Sequence, residues 1–338
     1  MAGPHALPFA HVQRMLIRFD SMVKAVPEPL AVITNRRAAR NRGNDNWVDP
    51  LMAHEARVAH FQFDRAQDAA ACVGRCAALG ARTIVVNGGD GTAGLVFQAL
   101  LNDNGYGERP SIALLPGGKT NMTAAGWSRG GNAPASLRSI LELRRERGFA
   151  RHLVERPILR LSRPKEPTLY GAFFGAAEVA DGIKLCRKRL YPLNLPDTFS
   201  HAVAATLTFV RSVVKRGKQV SVADERGGLE DGRFFLIGIT VLDELLFGLK
   251  PATAAREDAP GLRYLSVRNG VKPMLDAVPD LLHGRIAPGP GRTVRRAGSL
   301  TLRFDGAYTL DGELYEAHAD RPVTVDSQPR LRFRQVPS

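Results

Sequence analysis

The sequence predicts an α/β fold in which a parallel, helix-covered sheet is followed by a second domain of mostly antiparallel strands. Three observations lead there. At 338 residues the chain is longer than one compact core usually needs. From Leu30 onward, apolar strand-like runs alternate with helix-like runs, the pattern of parallel βα units. Beyond about Glu155 this gives way to short β-like runs. Hydrophobic residues at 44% and charged residues at 24% exclude a disordered or collagen-like chain.

The elements follow in order. His11 to Ala25 sets Val12, Met15, Leu16, Phe19, Met22 and Val23 at helical spacing, opposite Arg14, Arg18 and Lys24. This basic amphipathic helix, assigned to residues 1–28 and ended by Pro27 and Pro29, suits either packing on the body or lying on a membrane surface. The first domain, 29–155, opens with a strand to Thr34 and a polar loop. A helix near Pro50 to Val58, a strand to Phe63, a helix from Ala66 to Leu79 and a strand to Asn87 come next. A helix from Thr92 to Leu101 and a strand ending at Leu115 complete the pattern. The second domain, 156–322, carries runs such as LYGAFF, FFLIGITV and LTLRF, interrupted by a helical insertion from about Phe199 to Val214. The strands of 323–338 either end this domain or return to the first. Ligands of such parallel sheets bind in the loops at the carboxyl ends of the strands.

The formal charge of +14, carried by 38 Arg and 9 Lys, calls for an acidic partner without specifying which. No run of about 18 uncharged apolar residues could span a bilayer. Met1 to Pro8 lacks the basic start and long apolar stretch of a secretory signal. Cys72, Cys76 and Cys186 are too few for a disulfide scaffold. The first two read as small buried hydrophobes in a reducing compartment, so a cytoplasmic location is expected.

The strongest local signal is Asn87-Gly88-Gly89-Asp90-Gly91-Thr92, between an apolar strand and a helical run. Missing side chains let backbone N–H groups approach a phosphate, and the helix N-terminus that follows favours an anion. Bare phosphates would repel Asp90, so its expected roles in this exposed loop are through Mg²⁺ or as acceptor for a hydroxyl. The plainer alternative is a tight turn with Asp90 as helix cap. A second loop, Pro116-Gly117-Gly118-Lys119-Thr120-Asn121, nearly completes a Walker A with the residues before it. Ala113 replaces the first glycine, however, and no clean Walker B strand follows. The third piece, Asp311-Gly312-Glu313, taken alone reads as a hairpin turn.

Together, GGDGT at Gly88–Thr92, the Pro116–Asn121 loop and the late DGE resemble, in order and spacing, the diacylglycerol kinase-like lipid kinases, a superfamily that includes bacterial lipid kinases and the sphingosine and ceramide kinases. The resemblance spans roughly Pro29 to Glu316. Ile33-Thr34-Asn35 with the loop to Gly43 is similar to a diverged form of the family's first loop. It implies an NAD-kinase-like α/β nucleotide-binding domain, a β-sandwich-like second domain, and transfer of the ATP γ-phosphate to a lipid hydroxyl with Mg²⁺. On this mapping Asn35 and Gly88, Gly89, Asp90, Gly91 and Thr92 contact ATP, while Gly117, Gly118, Lys119, Thr120 and Asn121 line its phosphates. Glu313 is the implied catalytic base, with Asp90 its rival. The implied metal-site stretch is Glu257 to Leu262, with Asp258 as candidate ligand. Lys119 stands where the family has Thr, and Met122 where it has Asp. These departures suggest an acceptor such as a sphingoid or ceramide lipid in place of diacylglycerol.

Arg187-Lys188-Arg189, Lys215-Arg216 with Lys218, and Arg144-Arg145 with Arg147 concentrate positive charge. They form either a solvated face or a docking surface for an anionic leaflet, which makes a peripheral membrane enzyme acting on a lipid acceptor the expectation. Nucleic acid is not an expected partner, since no aromatic platform, zinc spacing or helix-turn-helix accompanies the charge. The alternatives are an NAD kinase, for which no further dinucleotide motif follows GGDGT, and a non-catalytic nucleotide- or lipid-binding protein. The oligomeric state is not legible.

Overall fold

The computed structural model describes residues 27–43, 47–102, 105–128, 132–146, 152–180, 217–245, 248–251, 261–277, 279–280 and 283–335. The helices expected at 11–25 and 199–214, Asp258, and the clusters Arg187-Lys188-Arg189 and Lys215-Arg216 lie outside these residues.

The first sheet is built from β1 (Leu30–Asn35), β2 (Val58–Phe63), β3 (Thr83–Gly88), β4 (Ser111–Pro116) and two further strands, β5 (Leu153–Pro157) and a late one at Arg330–Arg334. β1 lies between β2 and β3, and β3 beside β4, all parallel. β1, β3 and β4 are buried on both faces, which is why they read as unbroken apolar runs. Ala31, Ile33, Ile84, Val86, Ile112 and Leu114 face α2 (Ala69–Ala78), α3 (Asp90–Leu101) and α4 (Met122–Ser128). On the other face Leu30, Val32, Val85, Ala113 and Leu115 pack with α1 (Val48–Met52) and α5 (Ala133–Arg145).

Element boundaries depart from expectation for local reasons. The helix near Pro50 spans Val48–Met52, because Val58 is taken up by pairing with Leu30 across β1 and β2. The helix expected from Ala66 opens as a 3₁₀ turn at Ala66–Asp68 and becomes α-helical at Ala69. Cys72 and Cys76 are free and buried on it, and burial pushes the Cys76 thiol up to about 12. Arg144, grouped above with a possible solvated face, is instead buried. Its guanidinium pairs with Glu55 at 3.1 Å and donates to the carbonyls of Glu28 and Ala56.

The second domain is an 11-stranded, antiparallel sheet. In chain order it comprises β6 (Leu159–Ser162), β7 (Leu169–Gly171), β8 (Phe173–Ala177), β9 (Lys218–Asp224) and β10 (Leu229–Thr240). After a two-residue strand, β11 (Lys250–Pro251), come β12 (Leu262–Arg268), the short α6 (Val271–Leu275) and β13 (Arg285–Ile286), which pairs in parallel with β11. The sheet resumes with β14 (Arg292–Ala297), β15 (Ser299–Arg303), β16 (Gly306–Leu310), β17 (Glu313–Ala317) and β18 (Val323–Asp326). Val323–Asp326 thus belongs to the larger sheet, between β15 and β6. The last strand, β19 (Arg330–Arg334), lies in the first sheet, parallel to β4 and antiparallel to β5. Its Phe333 closes an aromatic cluster with Phe97 and Trp127, ring centroids 5.7 and 4.6 Å away.

Candidate functional site

The order β2-β1-β3-β4 fixes where a ligand can sit. The chain leaves β1 toward one edge and β3 toward the other, so the loops after these two strands diverge and open a crevice at their carboxyl ends. Asn35 ends β1 and Gly88 ends β3. Asn35 Nδ2 donates to Thr92 Oγ1 at 2.9 Å, which ties the first loop to the GGDGT turn. Asn41 Nδ2 donates to the carbonyls of Asn35 and Asn87, and the Arg40 amide donates to the Gly117 carbonyl at 3.0 Å. Three loops therefore form one body.

The two glycine loops touch through their backbones. A β-carbon on Gly118 would stand 2.4 Å from the Gly89 α-carbon, and one on Gly89 would stand 2.9 Å from the Gly118 α-carbon. No side chain fits at either position. The second loop is closed by Asn121, whose Oδ1 accepts from the Gly118 amide at 2.7 Å while its Nδ2 donates to the Gly118 carbonyl at 2.9 Å. Asn121 adopts φ +51°, a left-handed conformation that asparagine tolerates better than most residues.

Asp90 occupies neither of the positions expected of it. It is buried rather than exposed, and Gly89, not Asp90, is the N-cap residue of α3. Its carboxylate serves the next helix instead. Oδ2 accepts from Thr120 Oγ1 at 2.7 Å and the Met122 amide at 3.2 Å, and Oδ1 accepts from the Thr123 amide at 2.8 Å. An anion at the start of α4 is thereby paired with unsatisfied N–H groups.

The DGE segment is the hairpin its sequence suggests, with Leu310 paired to Glu313 across a turn in which Asp311 and Gly312 take φ +49° and +87°. The turn also reaches the first domain. A β-carbon on Gly91 would stand 3.3 Å from Glu313 Oε1, so this exposed carboxylate lies over the first turn of α3. Asp311 is buried between α3 and the β7–β8 corner. It accepts from the amides of Ala172 and Phe173 at 3.0 and 2.8 Å, with Oδ2 3.2 Å from where a Gly94 β-carbon would be. Burial, and then the charge of Asp90, push its carboxyl up to about 8. Sequence reasoning took Asp311 only as a turn residue, because nothing in one sequence marks that Gly94 leaves room for it.

The residues suit a nucleotide. The backbones of two glycine loops meet at the N-terminus of α3, whose first N–H groups have no acceptor within the helix, and Asn87 Oδ1 is buried beside Gly117 without a protein partner. They do not suit a metal cage. Among the described residues no three His, Cys, Asp or Glu side chains are grouped to hold an ion, and both oxygens of Asp90 are engaged.

Residues 29–149 match the family model of the diacylglycerol kinase catalytic domain. Solved structures are similar over nearly the whole chain. Two structures of a candidate diacylglycerol kinase from Bacillus anthracis str. Sterne share 17% identity at a TM-score of 0.62. One covers 91% of this chain and 97% of its own, the other 92% and 98%. A diacylglycerol kinase structure from the same organism shares 15% identity at 0.59, covering 92% and 98%. No curated protein matches the sequence. The resemblance to diacylglycerol kinase-like lipid kinases, and the α/β domain followed by a mostly antiparallel one, are borne out.

Proposed function

We propose that the protein is a lipid kinase that transfers the γ-phosphoryl group of ATP to the hydroxyl of a membrane lipid, working in the cytoplasm at an anionic membrane surface. The observation that carries this is Glu313 Oε1 lying over Gly91, a carboxylate from the second domain at the mouth of the glycine cradle of the first. A phosphoryl acceptor needs a base beside the phosphate-binding loops but not among them, and Glu313 has that position.

In this reading the N–H groups at the start of α3 bind and orient the phosphates, Gly117 and Gly118, whose own amides are taken by Gly88, Leu115 and Asn121, hold the second loop close against them, and Lys119 adds positive charge. Asp90 holds the second loop in register through Thr120, Met122 and Thr123. Glu313 takes the proton of the acceptor hydroxyl. A divalent ion bound with ATP would neutralise phosphate charge, drawing most of its ligands from phosphate and water.

The match to the diacylglycerol kinase catalytic domain supports the same chemistry. Among the described residues no helix is long and apolar enough to cross a membrane, which fits docking through the +14 charge. Incubation with γ-labelled ATP and a panel of lipid alcohols in anionic vesicles should yield labelled phospholipid. Retained ATP binding with no transfer to any alcohol would overturn the proposal.

A further inference from the structure

Of the large apolar side chains that the described residues leave exposed, two stand one turn apart on α6: Val271 at 52% and Leu275 at 53%. The fold holds them outward. Pro273, on the opposite side of the helix, packs so closely that a β-carbon on Gly291 would stand 2.7 Å from it, and Ala277, just past the helix end, is buried. Arg268 flanks the helix at the same glycine, its Cβ 3.7 Å from that point. Arg292, itself nearly buried, pins the chain that follows, its Nη1 donating to the Asp276 carbonyl and to Asp280 Oδ2, each at 2.8 Å. The charge around the apolar pair has one sign. Among the described residues from 248 to 286, the exposed lysines, arginines and acids are Lys250, Arg268, Lys272 and Arg285, with no acid among them. Asp276 and Asp280 are half-buried, and Asp280 is taken by Arg292. Lys250 and Arg285 stand directly opposite each other where β11 pairs with β13, so two like charges are held side by side. The Lys250 amide donates to the Gly284 carbonyl at 2.9 Å and the His283 amide to the Pro279 carbonyl at 3.1 Å, which joins this pair to the chain leaving α6.

We propose that α6 and the β11–β13 pair form the surface by which the protein docks on a leaflet containing anionic lipid. Val271 and Leu275 enter the boundary between headgroups and acyl chains, and Lys250, Arg268, Lys272 and Arg285 meet lipid phosphates. Aliphatic side chains ringed by cations suit a surface that is negative at its face and apolar just below it. A soluble acidic partner would answer the cations alone and leave the two aliphatic side chains in water. The proposal rests on the reading of a kinase that works at a membrane, and it names the face used. α6 lies apart from the phosphotransfer site. β10 connects them: its Arg233 carbonyl accepts from the Asn269 amide beside α6, and its Thr240 Oγ1 donates to the carbonyl of Ala172, whose amide binds Asp311. Seven residues of strand separate those two points, up to about 23 Å. Docking therefore sets where the enzyme sits and leaves its chemistry untouched.

The test is sedimentation of the full chain with vesicles of phosphatidylcholine, alone or with one third phosphatidylglycerol. The parent should bind the anionic vesicles roughly tenfold or more tightly than the neutral ones, and salt should reverse the difference. Val271→Asp with Leu275→Asp should weaken that binding about tenfold or more. Lys250→Gln with Arg285→Gln should weaken it roughly 25-fold, at about fivefold for each cation near the surface. Both double variants should keep the parent's melting temperature, because all four side chains are exposed, and its rate of transfer to a short-chain acceptor dispersed without vesicles. Leu275→Trp gives a separate readout that holds even if the Asp pair does not fold: brominated acyl chains should quench it beyond the parent's Trp47 and Trp127. Anionic-vesicle binding that either correctly melting double variant keeps in full, or Leu275→Trp quenched no more than the parent, overturns the proposal and leaves the membrane reading standing. A parent that binds neither vesicle, or both equally, overturns the proposal and the anionic-membrane reading together. A parent dimer at sedimentation equilibrium that the Asp pair dissolves assigns this face to a second copy and overturns the proposal. Vesicle binding lost in both double variants, from a parent that transfers no phosphoryl group, supports the docking surface and counts against the kinase reading.

Discussion

Glu313 Oε1 and the α-carbon of Gly91 face each other across the two domains, so closely that a β-carbon on Gly91 would stand 3.3 Å from the carboxylate. If this oxygen accepts the proton of the lipid hydroxyl, Glu313→Gln should lower kcat by roughly 10²-fold or more, the usual scale of a lost general base. Affinity for Mg²⁺–ATP should hold. Initial rates beside calorimetric ATP titration measure both. Wild-type turnover in the variant would deny Glu313 the base role.

Gly118→Ala attacks the cradle rather than the base. Its β-carbon would stand 2.4 Å from the Gly89 α-carbon, a distance no rotamer relieves. Separating the loops should destabilise the fold by about 1–3 kcal/mol and raise the ATP Kd at least tenfold. Thermal melting and nucleotide titration would show it, and unchanged ATP affinity would contradict the assignment of this cradle to phosphate.

Asp90→Ala removes an acceptor from three donors at once. Leaving the Met122 and Thr123 amides short of a partner should cost on the order of 1–3 kcal/mol and weaken ATP binding by loosening the second loop. Asp90→Asn keeps one acceptor oxygen but turns an NH₂ toward a donor, so it should fall between parent and Ala in both stability and affinity. An Asp90→Asn protein with parental melting and parental ATP affinity would deny the carboxylate this organising role.

Asp311 makes stability depend on pH. Its folded carboxyl is raised from 3.8 to about 8, so between those values the native state holds a proton that the unfolded chain has released. Its contribution is fully present below about pH 4 and is lost as pH rises through about 8. Asp311→Asn, whose Oδ1 can still accept from Ala172 and Phe173, should remove this term. The melting temperature of the variant relative to the parent should therefore climb between pH 5 and 8. A constant difference would show that Asp311 is ionised in the folded protein.

Much of the first domain is legible because its physics is local. Thr83 to Val86 and Ser111 to Leu115 are unbroken apolar runs because both faces of those strands are covered, and the Gly88–Thr92 signal marks a strand-to-helix turn that is present. What escapes the sequence depends on partners far along the chain. Asp90 reads as an exposed loop carboxylate because Thr120, Met122 and Thr123, its partners, lie some thirty residues away. Asp311 reads as a turn residue because its burial against Ala172 is set 139 positions earlier. The pairing of Glu313 with Gly91 is of the same kind, and only the resemblance to a family suggested it.

The seating of β19 between β4 and β5 has a consequence for synthesis. Arg334 donates to Ser111 Oγ at 3.0 Å across 223 residues of chain, and Phe333 caps Phe97 and Trp127. While the protein is being made, the parallel-sheet half emerges from the ribosome first, yet it waits with one flank of β4 bare until the whole antiparallel half has been translated. Residues 29–149 expressed alone should aggregate through that open flank, and a peptide carrying Arg330–Arg334 supplied in trans should protect it.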